Sequence, residues 1–192
     1  PISQSEQPPH CGRQAGGESW RCHGTNVVGI ILANDPRARV IVLDVIDSQG
    51  RFSQKTLKEA MSFVVELKHS GYDIDVVNIS LQAAGQPAAE ACADSIGLGD
   101  VRQLGISVVV ATGNNGATNG VSFPACIPGA LGVGAVYGET DGPKTYGICS
   151  DPAPHADEPA CFSNSGDQSD ILAPGSDISA AGTRSEEHTS EL

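Results

Sequence analysis

Apolar positions follow one another along this chain in two rhythms, one of helices and one of strands. From Thr25 to Ala33 almost every side is apolar (Val27, Val28, Ile30, Ile31, Leu32), which predicts a short buried helix rather than an amphipathic one. RVIVLDVI, residues 39–46, is β-branched and reads as a buried strand. Leu57, Ala60, Met61, Val64, Val65 and Leu67 then share one face of a helix, which Thr56 and Glu59 open as a capping box and Gly71 closes. DVVNISL (75–81) predicts a second strand, residues 87–105 a glycine-interrupted helix, ISVVVAT (106–112) a third strand and ALGVGAV (130–136) another.

Strands alternating with helices imply an α/β fold around a parallel sheet covered on both faces. A polar loop follows from about Tyr137 to Pro159; it carries Cys149, and Cys161 lies just past its end. Sites on such sheets lie at the carboxyl ends of the strands. Two stretches there are informative: SLQAAG from Ser80, and TGNNG from Thr112, whose glycines let the backbone approach a ligand while Asn114 offers a carboxamide. On its own TGNNG is a turn sequence. His23, in RCHGTNVVGI, stands where the first helix begins, a place where a lone histidine is ordinarily a cap or a satisfied core group.

Composition narrows the classes. The 192 residues suffice for one domain with one core, and 39% hydrophobic content suits a globular protein. The net charge of −12 comes with scattered Lys and Arg, so a nucleic-acid footprint is absent. No apolar run approaches the roughly 18 residues that span a bilayer, so no membrane partner is expected. Six cysteines form no C-x-x-C pair and stand near no histidines at zinc spacing, so no metal cluster is expected; disulfides in an oxidising compartment are the expectation, and six reduced cysteines in a cytosolic protein the alternative. GVGAVYG (132–138) approximates a dinucleotide fingerprint, but loop rather than helix follows it. There is no G-x-S-x-G, no H-E-x-x-H and no Walker loop.

Taken in order, HGTNVVG, VVNISL, ATGNNG, FPACIPGALGVGAV and FSNSG…ILAPGSDI resemble the successive motifs of the subtilases, the subtilisin-like serine peptidases, over roughly residues 20 to 180. The resemblance implies a three-layer α/β fold with a mainly parallel twisted sheet. It also implies an Asp-His-Ser triad in which His23 is the general base and Asn114 donates to the developing oxyanion. Ser80, Leu81 and Gln82 would pair with an extended substrate backbone, Gly113 would flank the specificity pocket, and residues 48–53 would line pockets on the acyl side. Polypeptide substrates, a secreted monomer and no cofactor follow from it; calcium enters by resemblance alone, without a legible ligand set.

The departures matter as well. Val28 stands where relatives usually carry Ala, a packing change, and Gln82 stands where they carry Gly, which narrows the cleft. No aspartate precedes His23, and no Gly-Thr-Ser-Met-Ala motif follows. Residues 184–192 resemble a translated adapter, leaving residues 1–183 as part of a peptidase domain truncated at both ends. Gly182 and Thr183 belong to a turn, and Ser185 is no nucleophile. The expectation is therefore an internal segment of a secreted endopeptidase, inactive alone and with one sheet face uncovered. The alternatives are a silent subtilase-like binding or processing module and, less in keeping with the motifs, a nucleotide-binding protein. Disulfides Cys11–Cys22, Cys92–Cys126 and Cys149–Cys161 are expected, and the resemblance alone implies a cis Phe123–Pro124 bond.

Overall fold

A computed structural model of the chain describes residues 23–47, 49–83, 92–139, 142–176 and 178. Three helices and six strands occur among them: α1 (His23–Asn34), α2 (Gln54–His69), β1 (Val76–Ile79), α3 (Leu98–Gln103), β2 (Ser107–Ala111), β3 (Leu131–Tyr137), β4 (Lys144–Thr145), β5 (Ser150–Asp151) and β6 (Ile171–Ser176). The order β1-β2-β3-β6 is a parallel sheet, with Ile79 beside Val110, Val110 beside Gly132 and Gly134 beside Leu172. The architecture is α/β, as the alternation of patterns predicts.

Adjacent residues in register point to the same face. One face carries Ile79, Val108 and Val110, all buried, and α2 and α3 cover it with Leu57, Met61, Val64, Leu98 and Val101. Each of these side chains contributes on the order of 1.5–3 kcal/mol by leaving water. The other face, with Val76 55% exposed, Leu131 37% and Ile171 47%, is open among the described residues. Coverage of both faces, implied by the alternation of strands and helices, is thus corrected to coverage of one, as expected of a segment that lacks part of the fold.

Four local expectations are also revised. α1 forms where predicted, but none of its residues is buried, because it packs against no other helix or strand among those described. Residues 39–46 form no strand and join no ladder: Leu43 and Val45 pack on the core while Val42 is 64% exposed. Backbone pairing is non-local, and no described strand lies alongside to accept it. The cap of α2 is Ser53, not Thr56; the Thr56 N–H donates to Ser53 Oγ and the Ser53 N–H to Thr56 Oγ1, so two overlapping box sequences resolve in favour of the earlier. The helix expected over 87–105 is, within the described residues, only Leu98–Gln103. Asp94 takes the N–H groups of Leu98 (2.8 Å) and Gly99 (2.7 Å), and Gly97 sits at φ +79°, so residues 94–97 form a turn that starts a new helix.

Cys92–Cys126 and Cys149–Cys161 are disulfides, with Cα separations of 5.2 and 6.1 Å. Phe123–Pro124 is cis. Within the excursion after β3, β4 and β5 form a short antiparallel pair, and a small second core of Ala135, Tyr137, Ala160 and Phe162 lies beside it. The expected Cys11–Cys22 pair, Gly182, Thr183, Ser185 and the 184–192 tail lie outside the described residues.

Candidate active site

Parallel strands deliver the chain repeatedly to one edge of the sheet, and the segments leaving β1 and β2 meet there. His23 is the first residue of α1, half-buried, and its Nε2 is 2.7 Å from the carbonyl oxygen of Ser80, the residue that follows β1. A carbonyl only accepts, so in this arrangement Nε2 carries the proton. The ring must turn, or move that proton to the other nitrogen, before Nε2 can take one from a hydroxyl.

Two residues further on, Gln82 bends toward the turn after β2. Its Oε1 accepts the backbone N–H of Asn114 at 2.6 Å. Ala83 donates its N–H to Phe123 O at 2.9 Å, fixing the 80–83 run to the segment around the cis bond. Leu81 packs inward on the main core. Of the residues expected at the site, Ser80, Leu81, Gln82, Gly113 and Asn114 are therefore gathered at the ends of β1 and β2, and His23 touches the same run.

Gly113 shows why the turn needs glycine. Its φ is +110°, and a Cβ there would lie 2.5 Å from Asn164 Nδ2 and Gln82 Oε1 and 2.6 Å from Ser122 Oγ. Such proximity lets polar side chains press directly on the main chain that carries Asn114.

Asn164 is the residue the sequence did not single out. It is 0% exposed and uses both ends of its carboxamide. Oδ1 accepts the N–H groups of Asn115 (2.9 Å) and Ala117 (3.0 Å); Nδ2 donates to Thr112 O (3.1 Å) and Ser122 Oγ (2.9 Å). Its main chain adds two more bonds: its N–H donates to Gly113 O at 2.8 Å, and its carbonyl accepts Thr112 Oγ1–H at 2.9 Å. Ser165 N–H to Ala117 O and Gly116 N–H to Phe162 O extend the same backing. FSNSG gave no hint of this, because the partners lie about fifty residues earlier.

Among the described residues no three His, Cys, Asp or Glu side chains come together in a group that could hold a metal ion. Nor is any described helix long and apolar enough to cross a membrane.

Comparison with known proteins agrees with this geometry. The profile of the subtilase family matches residues 5–192. The chain is 27% identical over 168 residues to subtilisin of Bacillus pumilus, covering 81% of this chain and 52% of the relative. It is 28% identical over 175 residues to subtilisin-like protease 2 of Pseudogymnoascus destructans, covering 90% of this chain and 38% of that one. It thus spans about half, or less, of the length of these relatives. A cold adapted subtilisin-like serine proteinase superposes with a TM-score of 0.52 at 23% identity, over 71% of this chain and 41% of that one, a likeness of fold. A parallel sheet whose strand ends assemble this motif set, matched by the family profile along nearly its whole length, makes the chain a member of the subtilase family.

Proposed function

We propose that this chain is the part of a secreted serine endopeptidase that supplies the general base, His23, and one oxyanion donor, the Asn114 carboxamide, with the triad aspartate and serine standing outside it. The observation that supports this reading is the convergence of the α1 amino end, the 80–83 run and the Gly113–Asn114 turn, linked by His23 to Ser80 and by Gln82 to Asn114. An extended peptide would add alongside Ser80, Leu81 and Gln82, its carbonyl presented toward Asn114 and its side chain toward Gly113. His23 would leave the Ser80 carbonyl, accept the serine proton as the hydroxyl attacks, and pass it to the departing amine. Asn114 would stabilise the oxyanion, from a main chain held rigid by Asn164. The disulfides fit an oxidising compartment, in keeping with secretion.

The chain by itself is inactive on this reading, since hydrolysis needs a nucleophile and an orienting carboxylate besides the base. The test compares this chain with the complete protein, using a serine-directed covalent probe and a casein assay. Labelling and turnover are expected only in the complete protein, abolished by His23→Ala and lowered about 10²–10³-fold by Asn114→Ala. Histidine-dependent labelling of the chain alone, or a complete protein inert to the probe, would overturn the proposal; the latter is what a silent module gives.

A further inference from the structure

We infer that Gln82 sets the size of residue this site accepts, admitting small side chains and rejecting bulky ones at the position whose carbonyl is attacked, and that it does so through the oxyanion donor. The inference rests on the proposed function and deepens it.

The geometry is specific. Gln82 leaves the end of β1 and spans the gap to the turn after β2, where its carboxamide oxygen accepts the Asn114 N–H at 2.6 Å. The acceptor is unambiguous, since a backbone N–H can only donate. The same oxygen lies 2.5 Å from where a Gly113 Cβ would be, so the carboxamide rests directly on the glycine backbone and fills the space which that missing side chain leaves. The run that carries it cannot simply draw back: Ala83 is tied to Phe123 O, Leu81 is packed into the core, and Phe123 is itself buried. Asn164 Nδ2 and Ser122 Oγ crowd that same position, at 2.5 and 2.6 Å, and are bonded to each other. Asn164 and Ser122 are fully buried there and Gln82 is only partly so, so a substrate side chain directed at Gly113 comes up against the Gln82 carboxamide.

A methyl group can lie beside that carboxamide. A benzyl group has to push it aside, and the Asn114 N–H then loses its side-chain acceptor. Because Asn114 is also the residue whose carboxamide must face the oxyanion, displacing Gln82 loosens the donor at the moment it is needed. Bulky residues are thus penalised in turnover as well as in binding, which mere crowding of a pocket would not require.

The experiment uses the complete protease and peptides that differ only at that residue, alanine against phenylalanine. Gln82→Gly is expected to raise the Phe/Ala ratio of kcat/KM by about tenfold or more, the scale on which a pocket discriminates by size. Much of the gain should lie in kcat for the phenylalanine peptide. Gln82→Glu, which keeps the length and the acceptor, should leave the ratio within about threefold of the parent. Gln82→Ala, which removes the reach without adding backbone freedom, must follow the glycine variant and serves if that variant folds poorly. An unchanged Phe/Ala ratio in both truncations, with the serine still labelled and alanine peptides still cleaved, overturns the role of Gln82 alone. No labelling and no cleavage in the parent overturns the proposed function with it. A ratio that rises only through a lower KM overturns the link to the oxyanion donor.

Discussion

Replacing Asn164 by alanine should be the most damaging polar substitution in the described structure, and its cost can be worked from the bonds it removes. Five side-chain hydrogen bonds disappear, the weakest a 3.5 Å bond to Asn115 Oδ1, which still accepts from Ser122 Oγ. Two of the other groups concerned also keep a partner: Thr112 O still accepts the Ser122 N–H, and Ser122 Oγ still donates to Asn115 Oδ1. The N–H groups of Asn115 and Ala117 keep no protein partner, although water can reach the exposed Asn115. One largely unrelieved donor costs about 1–3 kcal/mol, and the remaining bonds about 1 kcal/mol each at most, partly recovered. The void left by a carboxamide at a site with no solvent exposure adds a smaller amount. The sum is about 3–4 kcal/mol. In the complete protein, treated beforehand with a serine-directed reagent, the urea midpoint should fall by roughly 1 M, taking an m-value near the upper end of the usual range, about 3 kcal/mol/M. A loss under about 1 kcal/mol would refute the view that this carboxamide holds the Thr112–Ala117 turn.

The turn before α3 and the disulfides carry the other expectations. Asp94 is pushed up by burial but more than pulled back by the backbone N–H groups of Gly99, Leu98, Gly97 and Ile96, so its carboxyl sits below the ordinary value. A depressed folded value means stabilisation present above the unfolded pKa and lost as pH falls through the folded one. Asp94→Ala should therefore cost about 1 kcal/mol at neutral pH and progressively less under acid titration, measured by urea unfolding; a cost independent of pH down to about 2 would refute it. Cys92–Cys126 closes a separation of 34 residues and Cys149–Cys161 one of 12. On chain entropy the first is worth about 4 kcal/mol and the second about 3. Paired Cys→Ala variants of each should show that order in melting temperature, and the reverse order would count against the entropic account.

Much of the scaffold was legible because its signals are local. The 3.6-residue spacing from Leu57 to Leu67 gave α2, and the β-branched runs gave β1, β2 and β3 to within a residue or two. What misled was also physical. Residues 39–46 carry a strand's composition, yet a strand needs a neighbour, which no local pattern supplies. Residues 94–97 break the helix expected over 87–105 because an aspartate carboxylate and a left-handed glycine act together, where glycine alone reads as a tolerated interruption. Motif order pointed to His23, Ser80, Gly113 and Asn114, which the fold brings to the ends of β1 and β2. The two carboxamides that brace the Asn114 turn, Gln82 from 32 residues before and Asn164 from about fifty after, were invisible as braces, since nothing in a one-dimensional pattern records who accepts whose N–H.

The excursion between Tyr137 and Ala160 closes on its own starting point. The Tyr137 N–H donates to Glu158 O, the Asp157 N–H to Tyr137 O, the Ala160 N–H to Ala135 O, and the Cys161 N–H to the Tyr137 phenol oxygen. Its two ends are thereby stitched at fixed spacing, and its apolar contents form a separate nucleus from the main core. For protein engineering this makes residues 138–156 an exchangeable cassette, provided a graft keeps Cys149 for its disulfide to Cys161 and Tyr146 for its contacts with Phe162 and with Ser176 of β6. The boundary of the cassette is sharp on its trailing side. From Phe162 onward the chain is already the backing of the Asn114 turn, so a graft extended even a few residues past Cys161 would be an edit of that turn rather than of its surroundings.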